Sequence, residues 1–453
     1  MRTIYEADNT ASRICGPQTE QPGVSYRVSS CCLEVPCEDG TILYHTMTGA
    51  MYLLSPGETM EDHRQPLLRE WFFVPQAYQD CRQVDDLKRI AALVHRPPKG
   101  ITSFTVFPTT DCNARCFYCY ETGIRKLTMS PDTAHAVAHY IADACGGQEV
   151  TIRWFGGEPF MDTQAVDIIC ADLASSGVAF TSLATSNGYY LTPDMAGHAA
   201  QAWHLKGVQI ALDGTEQVYN RTKAYVDESG NPYLRVLENI AALMKAGIRV
   251  TVRLNLHKGN AADLMSLCDE LAHRFPNRDK LRIYVIALKN RDGAGRIYDD
   301  ERAVDALTAK MNEKIAAMGC GVEFDLARGI VNNQCMADND HCEVIFPDGT
   351  TGRCEHYAES EVTGSIYSPE RDAAVVQSWK ERVDYPACAT CVMYPVCIKL
   401  KKCFWQDGQC TPRDQERKIS RMRKSVLLSY SKWKTGQSQA AESCDDDHWE
   451  DRA

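Results

Sequence analysis

At 453 residues, with 44% hydrophobic and 24% charged content, the chain can bury a large core, has room for two or three domains and does not have the composition of a disordered polymer. Its 60 Asp and Glu outweigh 49 Lys and Arg, and the net charge of -11 argues against a nonspecific binder of nucleic acid or of an anionic membrane. The N-terminal MRTIYEADNTASRICGPQTE lacks the apolar stretch of a signal peptide, and no later segment approaches the ~18 consecutive apolar residues of a membrane helix, so a cytoplasmic location is expected. Twenty-one cysteines in tight clusters then favour metal or redox chemistry over disulfides.

In chain order, the first element is YRVSSCCLEVPCEDGTILYHTMTGAMYLL, which alternates like paired strands with a turn at Asp39-Gly40. A helical stretch is expected around LLREWFFVPQAYQDCRQVDDLKRIAALV, which makes 1–96 a small α+β, winged-helix-like module. Pro97-Pro98-Lys99-Gly100 reads as a linker. From 100 to 330, β-branched runs alternate with amphipathic stretches, as in βα units around a parallel sheet. The expected strands are SFTVFPT, EVTIRWF, AFTSLATS, GVQIALD, IRVTVRLNL and LRIYVIAL, and six such units make a partial (β/α)6, TIM-like barrel. Helix signals separate them: Ser130 as N-cap with Pro131 at the first helical position, and LRVLENIAALMKAG ending at Gly247.

CNARCFYC follows the first barrel strand, which puts the thiols of Cys112, Cys116 and Cys119 on a loop at its carboxyl end, where such folds place chemistry. A structural zinc site needs four ligands, and this loop supplies three with no nearby fourth Cys or His. Three thiolates on a four-iron cluster leave one iron open to another ligand. Later strands end in polar motifs: Gly156-Gly157-Glu158-Pro159 after the second, Ser186-Asn187-Gly188 after the third, and Asp213-Gly214 after the fourth, with Arg221 soon after. Asn-Gly is equally a common tight turn. Arg253 and Asn255, two apart on the fifth strand, share one face, which is either the lumen or a solvated strand end.

Beyond residue 331 cysteine spacing replaces periodicity: Cys335, Cys342, Cys354, Cys388, Cys391, Cys397, Cys403 and Cys410 place eight thiols in 76 residues, enough for two fully ligated clusters. A two-zinc ribbon needs the same residues, because thiolates alone do not select iron over zinc. ERKISRMRKSVLLSYSKWK reads as a basic amphipathic helix closing a domain over 331–433, and 434–453 as an acidic, disordered tail. The ten remaining cysteines show no paired spacing, and most of them read as small buried hydrophobes.

The CxxxCxxC loop, with Tyr118 before its last cysteine, resembles the signature of the radical S-adenosylmethionine (SAM) superfamily. In that family the open iron chelates the methionine end of SAM, and one electron cleaves the sulfonium to a 5'-deoxyadenosyl radical. The resemblance implies SAM contacts from Gly156, Gly157, Glu158 and Pro159 to the methionine amino group. It also implies a polar residue at Ser186-Asn187 on the ribose, Arg221 near the SAM carboxylate, and further cofactor contacts from Tyr118, Asp213 and Arg253. Here Tyr219-Asn220-Arg221 replaces the more usual His-Asp pattern. The Gly349-xxxx-Cys354 piece and CATCVMYPVC resemble the SPASM extension of peptide and protein maturases. That implies three 4Fe-4S clusters, one on the barrel loop and two auxiliary. By analogy Cys335, Cys342, Cys354 and Cys403 go to the inner auxiliary cluster, and Cys388, Cys391, Cys397 and Cys410 to the outer. The five residues between Cys397 and Cys403, against the usual three, leave this sorting open. Glu355 follows Cys354 where sulfatase-maturating relatives carry a general base; a surface ion pair is the plain alternative.

The resemblance implies a maturase acting on a ribosomally made precursor peptide, forming a thioether or carbon-carbon crosslink with electrons from a flavodoxin- or ferredoxin-type donor. The N-terminal module then resembles a leader-peptide recognition domain, where a leader adds a strand to a sheet edge, or is a simple cap. A formylglycine-generating maturase is the second enzyme reading, and a non-catalytic iron-sulfur or zinc protein the third.

Overall fold

The computed structural model describes residues 1–7, 9–94, 100–227, 229–257, 259–288, 301–322, 326, 329–333, 335–356, 361–403 and 410–436. The linker expected at Pro97-Pro98-Lys99 and all but the start of the expected acidic tail lie outside them. The chain divides into two compact units: 1–97 with 323–339 and 379–453, and 98–322 with 340–378. The cysteine-rich stretch expected as one domain over 331–433 is therefore shared between them.

The second unit is built on the six expected strands, at Ser103–Thr109, Val150–Gly156, Phe180–Ser186, Leu205–Leu212, Arg249–Leu256 and Leu281–Ala287. They pair in parallel in chain order, as short βα connections require. Alternate residues turn opposite ways. Phe104, Val106, Ile152, Trp154, Ile210, Leu212, Val252 and Leu254 join the helices in one buried core, each large side chain contributing roughly 1.5–3 kcal/mol on burial. The other face is polar: Tyr284 Oη donates to Gln209 Oε1 at 2.7 Å, and Arg253 pairs in register with Tyr284. The helix Pro131–Ala144 starts as expected, with Ser130 accepting the Thr133 N–H and Pro131 at the first position.

Four strands were not legible in the cysteine-rich stretch. Cys342–Ile345 pairs in parallel with Ser103–Thr109 and extends the barrel sheet, followed by antiparallel Thr350–Gly352, Gly364–Ser365 and Ser368–Arg371. This main-chain pairing is what ties 340–378 to the barrel.

In the first unit a four-stranded antiparallel sheet runs in the order Arg2–Tyr5, Met51–Leu54, Gly40–His45, Cys32–Cys37. The continuous helix expected from Leu67 to Val94 is broken. Arg64–Arg69 and Asp80–Val94 are helical, but between them Trp71 takes a positive φ of 70° and Phe73–Pro75 forms a strand against Tyr26–Val28. Pro75 has no N–H for a helix, and the apolar run Phe72-Phe73-Val74 buries fully as a strand entry. The C-terminal helix spans Pro412–Lys434, capped by Thr411 and Asp414. It packs Met422, Val426 and Tyr430 into one core with Leu33, Val35, Ile42 and Leu53 of the sheet. Among the described residues, no helix is long and apolar enough to cross a membrane.

Candidate active site

The loop carrying Cys112, Cys116 and Cys119 leaves the first barrel strand and is closed at its base by hydroxyls. Thr109 Oγ1 donates to the Leu127 carbonyl at 2.9 Å and Thr110 Oγ1 to that of Arg125 at 2.7 Å. Asp111 accepts the Cys112 N–H at 2.8 Å and pairs with Lys126 at 2.6 Å. The three thiols are half-buried. Burial first, then the Glu158 carboxylate, pushes Cys112 up to about 12, and burial pushes Cys119 up to about 11.

Gly156 and Gly157 are glycines because this loop passes over them. A Cβ on Gly156 would lie 2.2 Å from the Thr109 carbonyl oxygen, and one on Gly157 2.2 Å from that of Asp111. Glu158, fully buried, and Pro159 follow. The Glu158 N–H donates to the Asp111 carbonyl at 2.9 Å, while its carboxylate accepts the Ser186 hydroxyl and the Asn187 N–H, both at 2.7 Å. Burial, only partly offset by these donors, raises the Glu158 carboxyl to about 7. Asn187 in turn donates to Asn113 Oδ1 at 2.7 Å, so the second and third strand ends both grip the cysteine loop.

A buried ion pair grips it from the other side. Lys223 Nζ lies 3.0 Å from Asp213 Oδ2, with side chains 3% and 0% exposed. Tyr118 Oη donates to Asp213 at 2.9 Å and receives hydrogen bonds from Lys223 Nζ and Asn255 Nδ2, both at 3.1 Å. The Lys223 carbonyl accepts the Arg115 N–H at 2.8 Å. Burial works against the ammonium charge, but Asp213, then Tyr118 and Cys116, more than offset it and hold Lys223 well above its usual range. Arg221, singled out by its motif, is exposed on the helix Glu216–Lys223. The buried cation is two residues later, where a last-turn lysine carries no sequence signal.

Arg253 Nε, Asn255 Oδ1 and His257 Nε2, on or just beyond the fifth strand, are buried without a hydrogen-bond partner among the described residues. Each such orphan costs ~1–3 kcal/mol unless a ligand meets it. The strand ends thus offer donors and an acceptor to a polar guest beside the thiols.

Glu355 and His356, after Cys354, are half-buried. His356 stacks at 4.2 Å on Tyr120, next to Cys119 in the chain. Glu121, which the motifs did not mark, is raised to about 8 by burial and then by the Glu355 carboxylate. Of the later cysteines, Cys342 and Cys354 belong to the barrel unit, and Cys335 and Cys403 to the first unit. Cys388, Cys391, Cys397 and Cys410, also in the first unit, line one pocket with Lys418, whose Nζ is 3.0 Å from Cys397 Sγ. Among the described residues no three Cys, His, Asp or Glu side chains converge tightly enough for a single metal ion. Four thiols around a common pocket are the donor set that a four-iron cluster or a zinc ion takes.

A parallel barrel with a three-thiol loop at the mouth of its first strand and orphaned polar atoms beside it can hold a metal cluster and a polar ligand side by side. Residues 106–271 match the Radical SAM superfamily. The chain therefore carries a radical SAM domain and is an enzyme; such a domain binds a 4Fe-4S cluster and SAM. A probable GTP 3',8-cyclase of Methanocella arvoryzae is 26% identical over 258 residues, which cover 53% of this chain and 78% of that protein. The GTP 3',8-cyclase of Synechococcus elongatus is 32% identical over 165 residues, 35% of this chain and 45% of that one. In fold, the chain is similar to anSMEcpe with bound AdoMet (TM-score 0.56, 12% identity, covering 74% of this chain and 96% of that one). It is also similar to Streptococcus suis SuiB bound to precursor peptide SuiA (TM-score 0.51, 12% identity, 82% and 94%).

Proposed function

We propose that this enzyme is a cytoplasmic peptide maturase with three 4Fe-4S clusters, which abstracts hydrogen from a precursor peptide and forms a thioether or carbon-carbon crosslink. When bound, SAM on the barrel cluster supplies a hydrogen-abstracting 5'-deoxyadenosyl radical. Cys112, Cys116 and Cys119 hold that cluster. The orphaned Arg253 Nε, Asn255 Oδ1 and His257 Nε2 meet polar groups of SAM, and Glu158 and the Ser186-Asn187 end keep the loop and the SAM site in register. Arg221 reaches the site from the exposed side of its helix. The single observation that carries the reading beyond SAM cleavage is the pocket that brings together Cys388, Cys391, Cys397 and Cys410, remote in sequence from the barrel loop. A four-cysteine cluster there has no open iron for SAM and serves electron transfer. The peptide-bound state of the fold neighbour SuiB supports a peptide substrate, and the edge strands Arg2–Tyr5 and Cys32–Cys37 offer a leader two places to add a strand.

The half-buried Glu355, facing Glu121 beside the thiol loop, favours a second reading in which it takes the proton from a substrate radical, as formylglycine formation requires. Incubating the reconstituted enzyme with SAM, reductant and the peptide encoded beside its gene decides between them. A crosslinked product, with the mass of lost hydrogens and no added oxygen, supports the first. A formylglycine supports the second, and conversion of GTP with no peptide change removes both.

A further inference from the structure

On the C-terminal helix, the stripe of Met422, Val426 and Tyr430 is buried against the sheet. Continued toward the helix start at helical spacing, the same stripe meets Lys418 and then Gln415. An apolar side chain is what such a position calls for, yet an ammonium group stands there, half-buried, while Glu416, Arg417 and Ser420 are exposed. Taking a charge partly out of water is costly unless an opposite charge meets it. Among the described residues, the hydrogen-bond acceptor of Lys418 Nζ is a sulfur, Cys397 Sγ at 3.0 Å. The placement is fixed from two sides. Thr411 and Asp414 cap the helix directly after Cys410, and Cys391 and Cys397 pack against the same core as Met422 and Val426. Lys418 therefore lines the pocket of the four thiols. A neutral thiol is a weak acceptor, whereas a metal-bound thiolate presents negative charge to such a donor. Lys399 lines the pocket too, but its Nζ lies 5.4 Å from the centre of the Tyr385 ring.

We infer that Lys418 is a positioning residue for this pocket, donating a charge-assisted hydrogen bond to Cys397 that holds the reduction potential of the bound cluster up. The inference rests on the proposal that the pocket holds a four-iron cluster. Reduction adds one negative charge to such a cluster, so a cation at a ligand sulfur stabilises the reduced form more than the oxidised. Hydrogen bonds to the sulfurs and local charge both set these potentials, and Lys418 supplies the two in one contact. It acts through Cys397 and touches no substrate.

The test is a potentiometric titration of the full, reconstituted chain, followed by electron paramagnetic resonance, with iron content measured on every sample. The signal of interest is the one that Cys388→Ala/Cys391→Ala removes. In Lys418→Met, iron should match the wild type, while at the wild-type midpoint the ratio of reduced to oxidised cluster falls about tenfold. Lys418→Arg, which keeps a cationic donor, should recover most of that loss. Lys399→Met, which removes a charge from the same pocket but no contact to sulfur, should move the ratio much less. Full iron with an unchanged midpoint in Lys418→Met overturns the role of Lys418, and so does a shift in Lys399→Met as large as in Lys418→Met. Lys418→Gln, which keeps an uncharged N–H, repeats the comparison if the Met variant loses iron; loss of iron from both shows a residue that holds the cluster rather than one that tunes it, and also overturns the inference. Separately, Cys388→Ala/Cys391→Ala protein that retains wild-type iron and every signal overturns the cluster assignment itself.

Discussion

At the residue scale, the loop that bears Cys112, Cys116 and Cys119 is held by groups that never need to touch iron. Lys223 and Asp213 are the tightest case. Removing one partner of a buried ion pair leaves the other charge stranded, at a cost of about 3–5 kcal/mol. Urea unfolding of Lys223→Met should show that loss, and Asp213→Asn/Lys223→Met should recover most of it; a single variant as stable as the wild type contradicts the role of the pair. Glu158 gives a pH signature. Its carboxyl is raised to about 7 in the folded chain against an ordinary 4.5, so the folded state binds the proton more tightly than the unfolded. The contribution is fully present below pH 4.5, is lost as pH rises through 7, and amounts to on the order of 3 kcal/mol. Glu158→Gln should flatten that part of the stability profile of the cluster-free protein, measured by denaturant midpoints from pH 4.5 to 8. An unchanged slope would show that Glu158 does not titrate there.

At the element scale, the six barrel strands were legible because each is a β-branched or aromatic run bounded by turn residues, and the structure finds all six within a few residues. The sequence was less informative wherever a neighbour decided the outcome. Phe73–Pro75 is a strand because Tyr26–Val28 is there to pair with it, and Cys342–Ile345 is one because Ser103–Thr109 offers an edge. The C-terminal helix was visible from its amphipathic pattern, but not the sheet it covers. Val426 is fully buried against Leu33, Val35 and Ile42, so Val426→Ala should cost about 2 kcal/mol. It should also speed amide exchange in Met51–Leu54, the central strand of that core. Exchange quickened in the helix alone would mean that helix and sheet are not one cooperative piece.

For the whole molecule, chemistry was easier to read than partnership. Cysteine spacing marks ligands because a cluster tolerates few geometries, and Gly156-Gly157 is marked because two carbonyls lie where a Cβ would be. Lys223 and Glu121 left no mark, since a lysine in a last helical turn or a glutamate on a loop is ordinary until its surroundings close over it. The central claim is that the Cys112-Cys116-Cys119 loop starts radical chemistry, and its most direct measurement is 5'-deoxyadenosine formed from SAM and dithionite under anaerobic conditions. The reconstituted wild type should produce it, and Cys116→Ala should not while keeping the iron of the C-terminal cysteines. A wild type with full iron and no 5'-deoxyadenosine, or a Cys116→Ala protein that cleaves SAM as fast, contradicts the account.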